Sequence, residues 1–232
     1  MNERIDESVA MPVITIDGPG GSGKGTVSRL IAHQLGWHFL DSGALYRLVA
    51  LAALKRQLDF FEEEKIALIA SKLDVKFKVN SGIGEPQILL EGALVGDEIR
   101  SEQCGDSASK VAALPAVRAA LLQRQRDFRC SPGLVADGRD MGSVVFPHAE
   151  LKIFLDASAE ERAQRRYKQL KEKGMSANLA ALLEEIQVRD ARDRNRSVAP
   201  LIPAVGAILV DSTTQGIDEV VAGILEEWFK LA

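Results

Sequence analysis

Short apolar runs and amphipathic stretches alternate along most of this chain. Val13-Ile14-Thr15-Ile16-Asp17 is a β-branched run that reads as a buried strand. A glycine cluster follows, and then Val27, Leu30, Ile31 and Leu35 recur at helical spacing. Trp37 to Leu40 reads as a second strand ending at Asp41, and the Leu- and Ala-rich stretch Gly43 to Lys55 as a helix. Leu134-Val135-Ala136, Leu151 to Leu155 and Ala207 to Val210 read as three more buried strands, each followed by an aspartate: Asp137, Asp156 and Asp211. Helical patterns separate them, and the last, carrying Ile217, Val220, Val221, Ile224, Leu225 and Trp228, is strongly amphipathic. Short apolar strands alternating with helices predict an α/β fold in three α/β/α layers, with a parallel five-stranded sheet covered on both faces.

Residues 74–97 break that rhythm. Val75, Phe77 and Val79 alternate with charged residues, Ile88 to Leu90 and Ala93 to Val95 follow, and Gly82, Gly84 and Gly92 supply turns. This predicts a small antiparallel insertion on the α/β core. Residues 1–11 read as a mobile tail.

The chain has 232 residues, 29 Lys+Arg against 33 Asp+Glu, and 46% hydrophobic residues. Such a length suits one core with insertions, and the composition excludes a disordered or collagen-like chain. The mild acidic balance argues against a dedicated nucleic-acid binder but leaves room for a local basic cleft. No apolar run approaches the ~20 residues that span a bilayer. The acidic start, MNERIDESVAMP, is unlike a secretory or transit signal, so a cytoplasmic protein is expected. Cys104 and Cys130 lack metal spacing and are expected to be free thiols, and His33, His38 and His148 are too scattered for a metal site. Nothing calls for a dimer, so a monomer is expected.

The strongest chemical signal is Gly18-Pro19-Gly20-Gly21-Ser22-Gly23-Lys24-Gly25-Thr26, between the first strand and the first helix. Backbone N–H groups of such a loop turn inward as an anion nest, and the helix adds the positive end of its dipole. Lys24 supplies a mobile charge for the β- and γ-phosphates of a bound ATP. The Ser/Thr that usually follows the lysine is Gly25 here, which leaves Mg²⁺ to Thr26, to substrate oxygens or to water. Asp137 reads either as an outer-shell Mg²⁺ partner or as a helix N-cap. The GKGT form resembles nucleoside monophosphate kinases more than GTPase switches, and no Asn-Lys-x-Asp guanine motif is present.

A second set of residues suits a phosphorylated acceptor. Asp41-Ser42-Gly43-Ala44-Leu45-Tyr46-Arg47 and Asp137-Gly138-Arg139-Asp140 both follow strands, at the sheet edge where open α/β folds bind ligands. Arg189, Arg192, Arg194 and Arg196 crowd one segment with Asp190 and Asp193. Such a run is often a solvated helix face. Here guanidiniums come from three separated segments, and a planar fork binds phosphate oxygens in pairs and never loses its charge.

Across nearly its whole length the sequence resembles bacterial cytidylate kinases. The strings that carry the likeness are VITIDGPGGSGKGT, HFLDSGALYR, GLVADGRDMGSVVFP, KIFLDAS and RDARDRNRSVAPL. The resemblance implies one P-loop kinase unit: a core at about 12–60, 106–160 and 200–232, a monophosphate-binding insertion at about 61–105 and a lid at about 161–198. It implies CMP and dCMP as acceptors, ATP as donor, and CDP and dCDP as products. Arg47, Arg139 and Arg196, with Ser42 close by, would bind the acceptor phosphate. Ser109, Arg118 and Asp140 would read cytosine, and Arg189 and Asp193 would reach the sugar. Arg162 and Arg166, at i and i+4 on one helix before the polar stretch Lys171 to Ala177, would belong to a lid and touch the moving phosphoryl group alongside Lys24, Arg139 and Arg196. A surface ion-pair helix is the other reading of Arg162 and Arg166, since Glu160 and Glu161 adjoin them. Two other functions stay open at this point: a P-loop kinase for another small acceptor such as shikimate or gluconate, and a regulatory nucleotide-binding module that transfers nothing.

Overall fold

In the computed structural model the described residues are 11–78 and 87–231. The tail at 1–10 and the expected insertion residues Val79, Gly82 and Gly84 lie outside them. Strand β1 (Val13–Asp17), buried at all five positions, is the centre of a parallel sheet. With β2 (His38–Asp41), β6 (Leu134–Gly138), β7 (Leu151–Asp156) and β8 (Ile208–Asp211) it forms the order β2-β6-β1-β7-β8. The five expected strands are therefore all present: β1 as expected, and the other four shifted or extended by one or two residues to include the terminal aspartate. The last of them, β8, expected to be buried, is instead largely exposed, because it is the sheet's edge strand.

Period-two alternation explains the two faces. Ile14, Ile16, Val135, Ile153 and Leu155 pack on one side with Val27 and Ile31 of α1 (Lys24–Leu35) and Val220, Val221 and Ile224 of α8 (Ile217–Leu231). Val13, Leu134 and Ala136 pack on the other, under α2 (Ser42–Lys55), α3 (Glu63–Ser71), α4 (Glu102–Val111) and α5 (Pro115–Arg126). Trp37 and Trp228 meet edge to face, 5.0 Å between centroids, and fasten α8 beside the start of β2.

The insertion is a three-stranded antiparallel sheet of β3 (Val75–Lys78), β4 (Gln87–Leu90) and β5 (Ala93–Val95), with α3 before it. Helices α6 (Ala159–Glu172) and α7 (Leu179–Arg194) pack on each other beside the loop that follows β1. The polar stretch expected from Lys171 is shorter than anticipated, because Lys171 and Glu172 complete the last turn of α6.

Parallel register is what assembles the site. Asp17 stands opposite Gly138, and Asp41 opposite Asp137. The connection from β1 crosses β6 to reach β2, whereas that from β6 crosses β1 to reach β7. The crevice at this change of direction, above the carboxyl ends of the strands, receives the loops that follow β1, β2 and β6.

Candidate active site

The glycine loop closes on the start of α1. Gly23 takes a left-handed conformation (φ 92°) and Lys24 is the first helical residue. Lys24 Nζ donates to the Pro19 carbonyl at 3.0 Å and stands 4.0 Å from Asp137 Oδ1, almost wholly buried. Burial pulls this ammonium below its ordinary pKa, with Asp137 opposing the fall; burial pushes the Asp137 carboxyl up, with Lys24 opposing the rise. Asp137 is a residue of β6 and caps no helix, so that reading is set aside.

A methyl group at position 25 would stand 3.1 Å from Asp137 Oδ2. A serine or threonine there would crowd the carboxylate, which occupies the side of the loop where the usual hydroxyl would lie. Thr26 is exposed one residue later. Among the described residues no group of three His, Cys, Asp or Glu side chains is placed to hold a metal unaided.

Arginines approach the loop from α6. Arg162 is 2% exposed, and its guanidinium donates to the Gly20 carbonyl (3.1 Å) and pairs with both oxygens of Asp190 (3.1 and 2.5 Å). It is therefore no surface ion-pair residue: Arg165, and not Arg162, pairs with Glu161, at 2.9 Å. Arg165 also reaches the Ser22 carbonyl (3.4 Å) and Ser212 Oγ (3.3 Å), and Ser212 Oγ donates to the same carbonyl at 3.0 Å. Arg166 lines the cleft.

On the other wall, Asp41 caps α2 by accepting the Ala44 N–H at 2.9 Å, which sets Ser42 and Arg47 on the helix's opening turns. Arg47 donates to the Ile99 carbonyl at 2.7 Å. Arg118 of α5 pairs with buried Asp140 and lies over the Tyr46 ring, 5.8 Å from its centroid. Ser109 of α4 donates to Asp193 Oδ1 at 2.8 Å, and Arg139 pairs with Asp193 Oδ2. Arg196 donates to the Asp193 carbonyl at 3.2 Å. Arg139 and Arg189 each have a guanidinium nitrogen 3.6 Å from where a Gly20 side chain would begin, so both reach the phosphate loop itself.

These residues share one cavity of about 760 Å³, lined by Lys24, Ser42, Arg47, Ser109, Arg118, Arg139, Asp140, Arg162, Arg166, Arg189, Asp193 and Arg196. Its carboxylates hold its arginines in place. Burial opposes ionisation of Asp193, yet Arg139, Arg196 and Arg189 hold it down at about 2. Burial pushes Asp140 up against the pull of Arg118 and Arg196. Burial, with Arg139 and Arg118 beside it, lowers Arg196, and one of its buried guanidinium nitrogens has no hydrogen-bond partner. A buried, unsatisfied charged donor is costly, and an anion at that point would relieve it.

Sequence reasoning missed Asp17. Its carboxylate, 3% exposed, accepts the N–H groups of Met141 and Gly142 at 2.8 Å each. It thereby ties the strand before the phosphate loop to the single π-helical turn that follows Arg139 and Asp140. Only the register of β1 against β6 reveals this. Burial pushes Asp17 from 3.8 up to about 7. A carboxyl raised in the folded state gives stability that is full below its unfolded pKa and is lost as pH rises through the folded one. Urea midpoints should therefore fall between about pH 4 and pH 7, and fall less in Asp17→Asn; an unchanged slope in that variant would contradict the assignment.

A family model described as cytidylate kinase matches residues 14–230. The cytidylate kinase of Colwellia psychrerythraea is 61% identical over 92% of this chain and 94% of its own length. That of Aeromonas salmonicida is 59% identical over 92% of both. Among solved structures, a gluconokinase from Sinorhizobium meliloti covers 96% of this chain and 94% of its own at 17% identity, with a TM-score of 0.47, a likeness too slight to argue from. Close sequence identity over nearly all of both chains, together with a matching family model, means that the chain belongs to the cytidylate kinase family.

Proposed function

We propose that this protein transfers the γ-phosphoryl group of ATP directly to the phosphate of CMP or dCMP, giving ADP and CDP or dCDP. The observation that carries this reading is one cavity with a phosphate loop on one wall and a buried arginine cage on the other. A regulatory nucleotide switch has no use for the second cage.

The work of the chain is positioning and charge. Phosphoryl transfer passes through a loose transition state with charge spread over three oxygens. Two unit charges ~4 Å apart repel by ~4 kcal/mol even at an effective dielectric of 20. Lys24 and the loop N–H groups of residues 20–26 hold the donor's phosphates. Arg47, Arg139 and Arg196, with Ser42, hold the acceptor phosphate, and the unsatisfied nitrogen of Arg196 is the donor that most needs it. Arg162 and Arg166, which line the same cavity, would touch the transferring group. Arg162 is held by Asp190, so a phosphate must compete with that carboxylate for the same fork.

Thr26 would hold Mg²⁺, with Asp137 as its outer-shell partner, and the ion would neutralise charge on the phosphate oxygens of ATP. Asp137 fits this part: it is buried beside the loop, over a glycine that leaves it room, and an added cation would favour the ionised form of a carboxyl that burial pushes up.

Asp140, Arg118 and Ser109 would read cytosine. A carboxylate accepts from the exocyclic N4 amine, while a guanidinium and a hydroxyl donate to N3 and O2. In the cleft these groups satisfy one another or Asp193, so the base would exchange for partners already present. Asp193 and Arg189 would face the sugar, and Arg189 also reaches toward the loop. A coupled ADP-release assay across CMP, dCMP, UMP, AMP and shikimate tests the reading. CMP and dCMP should be the preferred acceptors; equal or faster turnover of shikimate or AMP, or none of any acceptor, would overturn it.

A further inference from the structure

Gly105 is the fourth residue of α4, buried, with its N–H in ordinary helical hydrogen bonding to the carbonyl of the capping Ser101 at 3.0 Å. Glycine is a poor helix former, so an interior helical glycine with no conformational need asks for a packing reason. The surroundings supply it. A side chain begun at residue 105 would meet Arg189 Nη1 at 3.2 Å and Arg47 Nη2 at 3.3 Å, with Arg47 Cζ at 3.6 Å. Its three nearest neighbours are all guanidinium atoms, and none belongs to a packed helix backbone. One turn later on the same face, Ser109 points into the cleft and binds Asp193.

We propose that Gly105 is a positioning residue for the acceptor site, its missing side chain leaving the slot in which the Arg47 and Arg189 guanidiniums lie side by side against α4. Two like charges sharing one spot repel, and they are held there by geometry: Arg47 by the Ile99 carbonyl, Arg189 by its place on α7 beside Asp193. That arrangement sets Arg47 toward the acceptor phosphate and Arg189 toward the sugar, and a methyl group would displace both tips by a few tenths of an ångström. The inference rests on the acceptor-phosphate reading of Arg47 given above.

The test separates helix stability from acceptor binding. Gly105→Ala adds a better helix former, so its Tm should be unchanged or higher by about 2–4 °C. Its KM for CMP should rise by about 5–10-fold, as charge-assisted contacts to the phosphate are stretched, while its KM for ATP stays within about twofold. Gly223→Ala is the control. Gly223 is an exposed glycine inside α8 with nothing within 4 Å of an added side chain, and its replacement should leave both KM values unchanged. Arg47→Ala completes the set and should raise the KM for CMP by about 100-fold. If Arg47→Ala raises that KM and Gly105→Ala does not, the slot is refuted while the phosphate reading stands. If Arg47→Ala leaves it unchanged, the phosphate reading fails and takes the slot with it.

Discussion

Lys24→Ala should lower kcat by at least ~10³-fold while the protein stays folded, because in the proposed reaction the lost charge is the one the loop presents to the transferring group. The side chain is enclosed by the loop it serves, with the Pro19 carbonyl and Asp137 as neighbours. Removing a buried cation usually strands its partner. Here the partner is Asp137, which burial already drives toward its protonated form, so it can take up a proton and stay in place without its cation. The expected result is a large kinetic loss beside a small change in Tm. Steady-state kinetics and a thermal melt on the same preparation check both halves, and a rate within about tenfold of wild type would contradict the role given to Lys24.

Asp140→Ala should have two separable effects. It leaves the buried Arg118 guanidinium without its carboxylate, a loss on the order of 3–5 kcal/mol in stability, which should show as a Tm lower by roughly 10 °C. It also removes the acceptor proposed for the cytosine amine. Each buried polar group left unpaired costs ~1–3 kcal/mol, so kcat/KM on CMP should fall by about 10²-fold while that on UMP changes far less. Asp140→Asn separates the two effects, since its shape is kept and its amide can still accept from Arg118. A variant that melts early yet keeps its full preference for CMP over UMP would assign Asp140 to structure alone.

Much of the architecture could be read from the chain. Buried parallel strands have no polar face, so Val13–Asp17 and Leu151–Asp156 stand out as mostly apolar runs, interrupted only by Thr15 and Lys152 before their closing aspartates. The phosphate loop was legible because its function is local, with nine consecutive residues carrying strand end, nest and helix start. The acceptor cage was legible only as a set of strings. Its parts lie on α2, α4, α5, α7 and the turn after β6, and which carboxylate holds which arginine depends on tertiary register. That Ser109 and Arg139 meet on Asp193, or that Arg162 turns from Glu161 toward Asp190, has no signature in spacing. Asp17, Ser212 and Gly105 escaped for the same reason. Each looks like an ordinary strand-end, loop or helix residue until the partner segment is in place.

On the proposed reading, fixed guanidiniums across the cleft from the glycine loop receive the acceptor's phosphate and hold it against the charge of the donor. A crystal structure with CMP, Mg²⁺ and a non-hydrolysable ATP analogue decides the matter. The CMP phosphate should lie within ~3 Å of Arg47, Arg139 and Arg196, facing the terminal phosphate of the analogue; a CMP phosphate bound away from all three, or turned from the loop, would refute the reading.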